Sequence, residues 1–161
     1  MQSMPDKQCQ SKEAREKNSF SGSLRGMDLA VVDVETSGGT AAFDRIIEVA
    51  VLRIRGGDVI DSFATLVNPE RPVSGFIEDL TGIRNWDLRR APAFADIKDE
   101  LFRYFQDAVF VAHNAGFDYD FLKEEFERQG LTLSVARICT MRLSRTLYPE
   151  FRKHSLDALI E

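Results

Sequence analysis

The chain has 161 residues, of which 43% are hydrophobic and 29% charged, with a formal net charge of −5. That suits one soluble domain with a buried core. No apolar run reaches the roughly 20 residues of a membrane span, and Cys9 and Cys139 make neither a disulfide framework nor a zinc motif. With no apolar leader at the start, a reduced, cytoplasmic protein is expected. The acidic balance opposes nonspecific nucleic-acid binding unless bound metal ions supply positive charge.

Residues 1–25 are polar, have no hydrophobic period and carry five Lys/Arg against three Asp/Glu. They read as a flexible N-terminal tail, and residues 26–161 as the folded domain. Residues 28–33 (DLAVVD) form a short apolar strand ending in an acid. The runs 46–55 and 59–67 flank Gly56-Gly57-Asp58, a hairpin signal. Residues 94–106 place Phe94, Ile97, Leu101, Phe102 and Phe105 at helical spacing. A buried strand is expected at 108–112, and an amphipathic helix at 117–129, stopped by Gly130. A strand at 135–139, a helix to about 148 and the start of another at 154–161 follow. Strands first, then alternating helices and strands, predict an α/β domain with a mixed sheet flanked by helices.

Two groups of acids stand where apolar residues are expected. Asp33 and Glu35 are two apart, so on a strand they share a face. Paired carboxylates repel unless a cation lies between them, and hard oxygen donors suit Mg²⁺ or Mn²⁺. An exposed strand end before Thr36-Ser37-Gly38-Gly39 is the other reading. The second group is His113-Asn114-Ala115-Gly116-Phe117-Asp118, between a strand and a helix, a common place for a site. Here Asp118 also reads as a simple helix-dipole partner, and Phe117 with Phe121 as core packing.

Asp33-Val34-Glu35-Thr36, followed some 80 residues later by His113-Asn114-Ala115-Gly116-Phe117-Asp118, resembles the DEDD exonuclease superfamily. It is most similar to the proofreading epsilon subunit of bacterial DNA polymerase III and its stand-alone relatives. Residues 45–50, Asn68-Pro69, Leu80-Thr81-Gly82-Ile83 and 152–159 resemble intervening parts of that family. The resemblance implies a ribonuclease-H-like fold with a five-stranded mixed sheet. It also implies 3′→5′ hydrolysis of DNA by two Mg²⁺ or Mn²⁺ ions. By position, Asp33, Glu35 and Asp118 would be catalytic metal ligands, while Thr36, Ile83, His113, Asn114 and Phe117 would contact substrate. Arg142, Arg145, Arg152 and Lys153 would follow the phosphate backbone, unless they are an ordinary solvated face.

The family's third motif, with a fourth carboxylate and a histidine or tyrosine base, is not matched. The residue five after His154 is Leu159, and the residue four after Tyr148 is Arg152. The expectation is a domain that is C-terminally incomplete, weakly active on its own, and prone to self-association through uncovered apolar surface. Nucleic acid and a DNA polymerase subunit are the expected partners, and no membrane. An RNA-processing exonuclease and a noncatalytic binding module are the competing readings.

Overall fold

The computed structural model describes residues 26–160. The expected tail, with Cys9, lies outside the described residues. The elements are β1 (Asp28–Thr36), β2 (Ile46–Arg55), β3 (Asp58–Leu66), α1 (Gly75–Thr81), α2 (Asn85–Leu88) and α3 (Phe94–Arg103). Then come β4 (Val109–Ala112), α4 (Ala115–Arg128), β5 (Arg137–Cys139), α5 (Thr140–Leu147) and α6 (Leu156–Ile160). One five-stranded sheet has the order β3-β2-β1-β4-β5. The first three strands form an antiparallel meander, and β4 and β5 join β1 in parallel. This is the expected mixed sheet. No helix among the described residues is long and apolar enough to cross a membrane.

Alternation along β1 sets the layers. Ala30, Val32 and Val34 are buried in the main core with Val49 and Val51 of β2. Against them pack Phe94, Leu101 and Phe105 from the α3 region and Leu122 and Phe126 from α4. Phe126 meets Phe94, Phe102 and Phe105 edge-on at 5.1, 5.2 and 6.0 Å, a favoured aromatic geometry. The opposite sheet face carries Val31, Asp33, Ala50, Leu52 and Val111, which line a shallow hollow with Leu156.

Several boundaries differ from the sequence reading for identifiable reasons. β1 continues to Thr36 because β2 pairs with it along its whole length. A bulge opposite Glu35/Thr36 shifts the register there. Bulges re-aim side chains, and here Ile46 turns into the main core while Ile47 enters a second cluster. That second cluster holds Val73, Ile77, Ile83 and Leu88. It is built by α1 and α2, which the sequence reading left without elements. Ser74 Oγ caps α1 by accepting from Ile77 N at 3.3 Å. Gly82 ends it in the left-handed conformation, with φ 75°.

Helix α4 is fixed by a buried ion pair. Glu125 is 1% exposed. It accepts from Arg45 Nε at 2.7 Å and Nη2 at 3.1 Å, a two-pronged contact, and from Ile46 N at 3.3 Å. Arg128 Nη1 adds a contact at 3.3 Å. Truncating one side leaves the other charge buried, so Glu125→Ala is expected to cost about 3–5 kcal/mol in denaturant unfolding. An unchanged unfolding midpoint would show that the pair does not hold α4 to β2.

Candidate active site

Strand β4 is short and pairs with β1 only as far as Val31 opposite Val111. Beyond that point the β4-side edge of β1 has no strand partner. His113 and Asn114 make the turn into α4, and Asn114 takes the left-handed conformation (φ 67°, ψ 44°) that asparagine tolerates. The turn brings the first turn of α4 beside the end of β1. Asp118 is there, 4% exposed. Burial pushes its carboxyl up to about 6, and the neighbouring charges of Asp33 and Glu35 push the same way. The backbone N–H groups of Asp118 itself and of Val34 offset the rise in part. Glu35 is likewise raised, by burial first and then by Asp33 and Glu48.

The three acids singled out from sequence are therefore electrostatic neighbours. No Lys, Arg or His among the described residues pairs with any of them. Nor do any three His, Cys, Asp or Glu side chains among the described residues surround an ion as they stand. Asp33 is solvent-exposed, and exposed side chains reorient on the picosecond-to-nanosecond scale. Three carboxylates supply the hard oxygen donors that a divalent cation takes, and their mutual repulsion is what such a cation relieves. The residues present fit the group.

Glu48 was not singled out from sequence. It pairs directly with Glu35 across β1 and β2, so both carboxylates share a sheet face. Like charges placed so are destabilising. The only signal for Glu48 is the strand register, which a single sequence does not display.

Beside Glu35 and Thr36 opens a cleft of about 480 Å³. Its walls include Gly38 and Gly39, Phe76, Ile77 and Leu80 of α1, and Phe117 of α4. Phe76 and Leu80, one helical turn apart, are 73% and 67% exposed and form an apolar lip. Phe117 lies against Phe121, with ring centroids 4.9 Å apart. Phe76 and Leu80 were missed, although Ser74 and Gly82 bracket them with a helix start and stop. Gly38 packs against the Asp44 carboxylate, which would have to move to admit a Cβ there.

Other expected substrate contacts are placed differently. Ile83 does not line the cleft. It is 9% exposed in the second core cluster, where an apolar side chain just past the end of α1 is covered by α2. Thr36 lines the cleft but is 8% exposed, and its hydroxyl donates to the Gly38 carbonyl at 2.6 Å. His113 is half-buried with both ring nitrogens engaged. Its Nε2 donates to the His154 carbonyl at 2.9 Å, and its Nδ1 meets Thr140 Oγ1 at 3.0 Å. His154 Nδ1 in turn meets Ser144 Oγ at 3.0 Å. The histidines thus strap the α5–α6 segment to the end of β4. Asn114 is exposed and lines a separate groove with Arg137, Arg142 and Arg145. Arg152 and Lys153 are also exposed.

Residues 30–161 match the exonuclease family RNase_T, and the chain belongs to that family, within the DEDD superfamily. Its fold is ribonuclease-H-like. The chain is 42% identical over 132 residues to the PolC-type DNA polymerase III of Bacillus subtilis, covering 80% of this chain and 9% of that protein. It is 34% identical over 133 residues to the 3′-5′ exonuclease DinG of Staphylococcus epidermidis, covering 82% and 15%. Exonuclease X in complex with 5′ overhanging duplex DNA superposes with a TM-score of 0.65 at 30% identity. That match covers 81% of this chain and 70% of the other. The chain thus spans about a tenth of the length of the curated PolC relatives it matches.

A carboxyl group with a raised pKa favours the folded state when protonated, so its contribution fades as pH rises from the unfolded value near 4 through about 6. In metal-free protein, Asp118→Asn is therefore expected to be more stable than wild type at pH 8, by about 3 kcal/mol. The gap should close as pH falls from about 6 to 4. Thermal unfolding across this range checks it; a gap independent of pH would refute the assignment.

Proposed function

We propose that the chain is a divalent-metal-dependent exonuclease that removes nucleotides from the 3′ end of DNA. One observation carries this reading: buried Asp118 is the electrostatic neighbour of Asp33 and Glu35 with no cation paired to them among the described residues, and Glu35 lines a cleft with an apolar lip. The polarity and the nucleic acid are supported by the names of DinG, a 3′-5′ exonuclease, and of Exonuclease X bound to duplex DNA. The PolC relatives support a DNA polymerase as its setting, either as a partner or within one polypeptide.

Asp33, Glu35 and Asp118 would hold Mg²⁺ or Mn²⁺. When bound, such ions stabilise the charge on the attacking water and the leaving oxygen of an in-line displacement. The remaining work falls to the chain itself. Phe76, Leu80 and Phe117 offer apolar and aromatic surface to the terminal base, a contact that tolerates any sequence. The backbone beyond Glu35 and Thr36, held by the Thr36–Gly38 contact, shapes the opposite wall of the cleft.

A 5′-labelled single-stranded DNA incubated with this chain and Mn²⁺ or Mg²⁺ should give a ladder shortening from the 3′ end. Asp33→Ala should slow it at least about a hundredfold, because even outer-shell partners of a metal site cost 10–100-fold. Internal cuts, equal rates in EDTA or faster degradation of the matching RNA would each refute a part of the proposal. Leu80→Ala, which only trims the lip, should raise KM more than it lowers kcat.

A further inference from the structure

We propose that Trp86, Arg89 and Arg90 form a second contact for the nucleic-acid strand, away from the carboxylates. On this platform one base stacks on the indole, and the two guanidinium groups meet flanking phosphates. The proposal rests on the nuclease reading above and extends it to how the strand is held upstream of its end.

Helix α2 is a firm mount. Leu88 (2% exposed) and the adjoining Ile83 bury its inner side in the second core cluster. Asn85 fastens it to the region around α1. Its N–H donates to Glu78 Oε1 at 2.7 Å, its Nδ2 donates to the Val73 carbonyl at 3.0 Å, and its Oδ1 accepts from Val73 N at 2.8 Å. From this anchored turn Trp86 projects outward, 58% exposed. Burial of the large indole would contribute to stability, so its exposure leaves that contribution unused.

The guanidinium carbon of Arg90 lies 4.5 Å from the Trp86 ring centroid, and that of Arg89 lies 6.0 Å away. Both are within cation–π range, so the indole holds the two cations in place. Neither arginine pairs with a carboxylate among the described residues. The chain as a whole carries −5, so two arginines against the single Asp87 on this turn, beside an exposed aromatic ring, are a local positive excess. A partner that fits must be anionic and must carry flat rings. A nucleic-acid strand supplies both, and aromatic stacking flanked by cations is how single strands are held without sequence preference. An acidic protein surface supplies charge alone.

The platform is also close to the cleft along the chain. Thr81 lines the cleft, and five backbone steps lead from it to Trp86, a reach of at most about 18 Å. At about 3.4 Å per nucleotide along a stacked strand, the platform lies within about five nucleotides of the terminus.

Trp86 is the one tryptophan in the sequence, so intrinsic fluorescence reports this contact directly. The full chain would be titrated with a single-stranded 12-mer, with a dinucleotide and with a polyglutamate peptide of matched charge. Ca²⁺ would serve as the divalent ion, and the experiment would be repeated in EDTA. Fluorescence anisotropy of a labelled 12-mer would follow binding independently. Saturable quenching by the 12-mer but not by the dinucleotide is expected. Trp86→Ala should weaken 12-mer binding about tenfold, the scale of losing one stacked base. Arg89→Glu with Arg90→Glu should weaken it at least as much and flatten its salt dependence, without lowering the unfolding temperature. Binding of the 12-mer with no quenching and an unchanged Kd in both variants would overturn the platform while leaving the nuclease reading intact. Equal quenching by polyglutamate would overturn it in favour of an acidic protein partner. No 12-mer binding in either buffer would overturn both.

Discussion

Two carboxylates share the buried side of α4, seven residues apart, and an arginine reaches only one of them. Glu125 is clasped by Arg45 and touched by Arg128, so its charge is balanced within the protein. Asp118 is nearly as deep but faces two further carboxylates. A desolvated charge without a partner is among the larger penalties a fold can carry. The same helix thus shows how this protein neutralises a buried acid for structure, and where it leaves one unbalanced. The rest of the architecture serves that contrast. The brevity of β4 exposes the end of β1, the left-handed turn at Asn114 aims α4 at it, and the Arg45 clasp fixes the helix along its length.

The acids do not form a finished cage. Asp33 stays in solvent, while burial and the neighbouring acids raise the pKa of both Asp118 and Glu35. Glu48, facing Glu35 across the strands, deepens the negative potential without being one of the three acids of the recognised motifs.

Much of this arrangement was legible in the sequence. The apolar run 28–33, the runs 46–55 and 59–67 and the Gly56-Gly57-Asp58 turn specified the meander, and the spacing of Phe94, Ile97 and Leu101 specified α3. Asp33, Glu35 and Asp118 declared themselves by interrupting apolar patterns. Features that depend on pairing were hidden. The bulge opposite Glu35 and Thr36 decides that Ile46 and Ile47 enter different cores, yet two adjacent isoleucines look alike on paper. Ile83 illustrates the same limit. Its motif pointed to substrate, but α2 covers it, and that short helix has only four residues to announce itself. The binding of both His113 nitrogens by Thr140 and His154 was equally out of reach, since those partners lie 27 and 41 residues away.

The division made by that bulge reaches beyond packing. The main core supports the acids, whereas the small cluster of Ile47, Val73, Ile77, Ile83 and Leu88 supports the lip and α2. A substitution in the small cluster therefore loosens the lip and α2 before it reaches the packing beneath Asp33, Glu35 and Asp118. Two cores joined at one bulge therefore give the lip and the acids separate mechanical foundations within a single sheet.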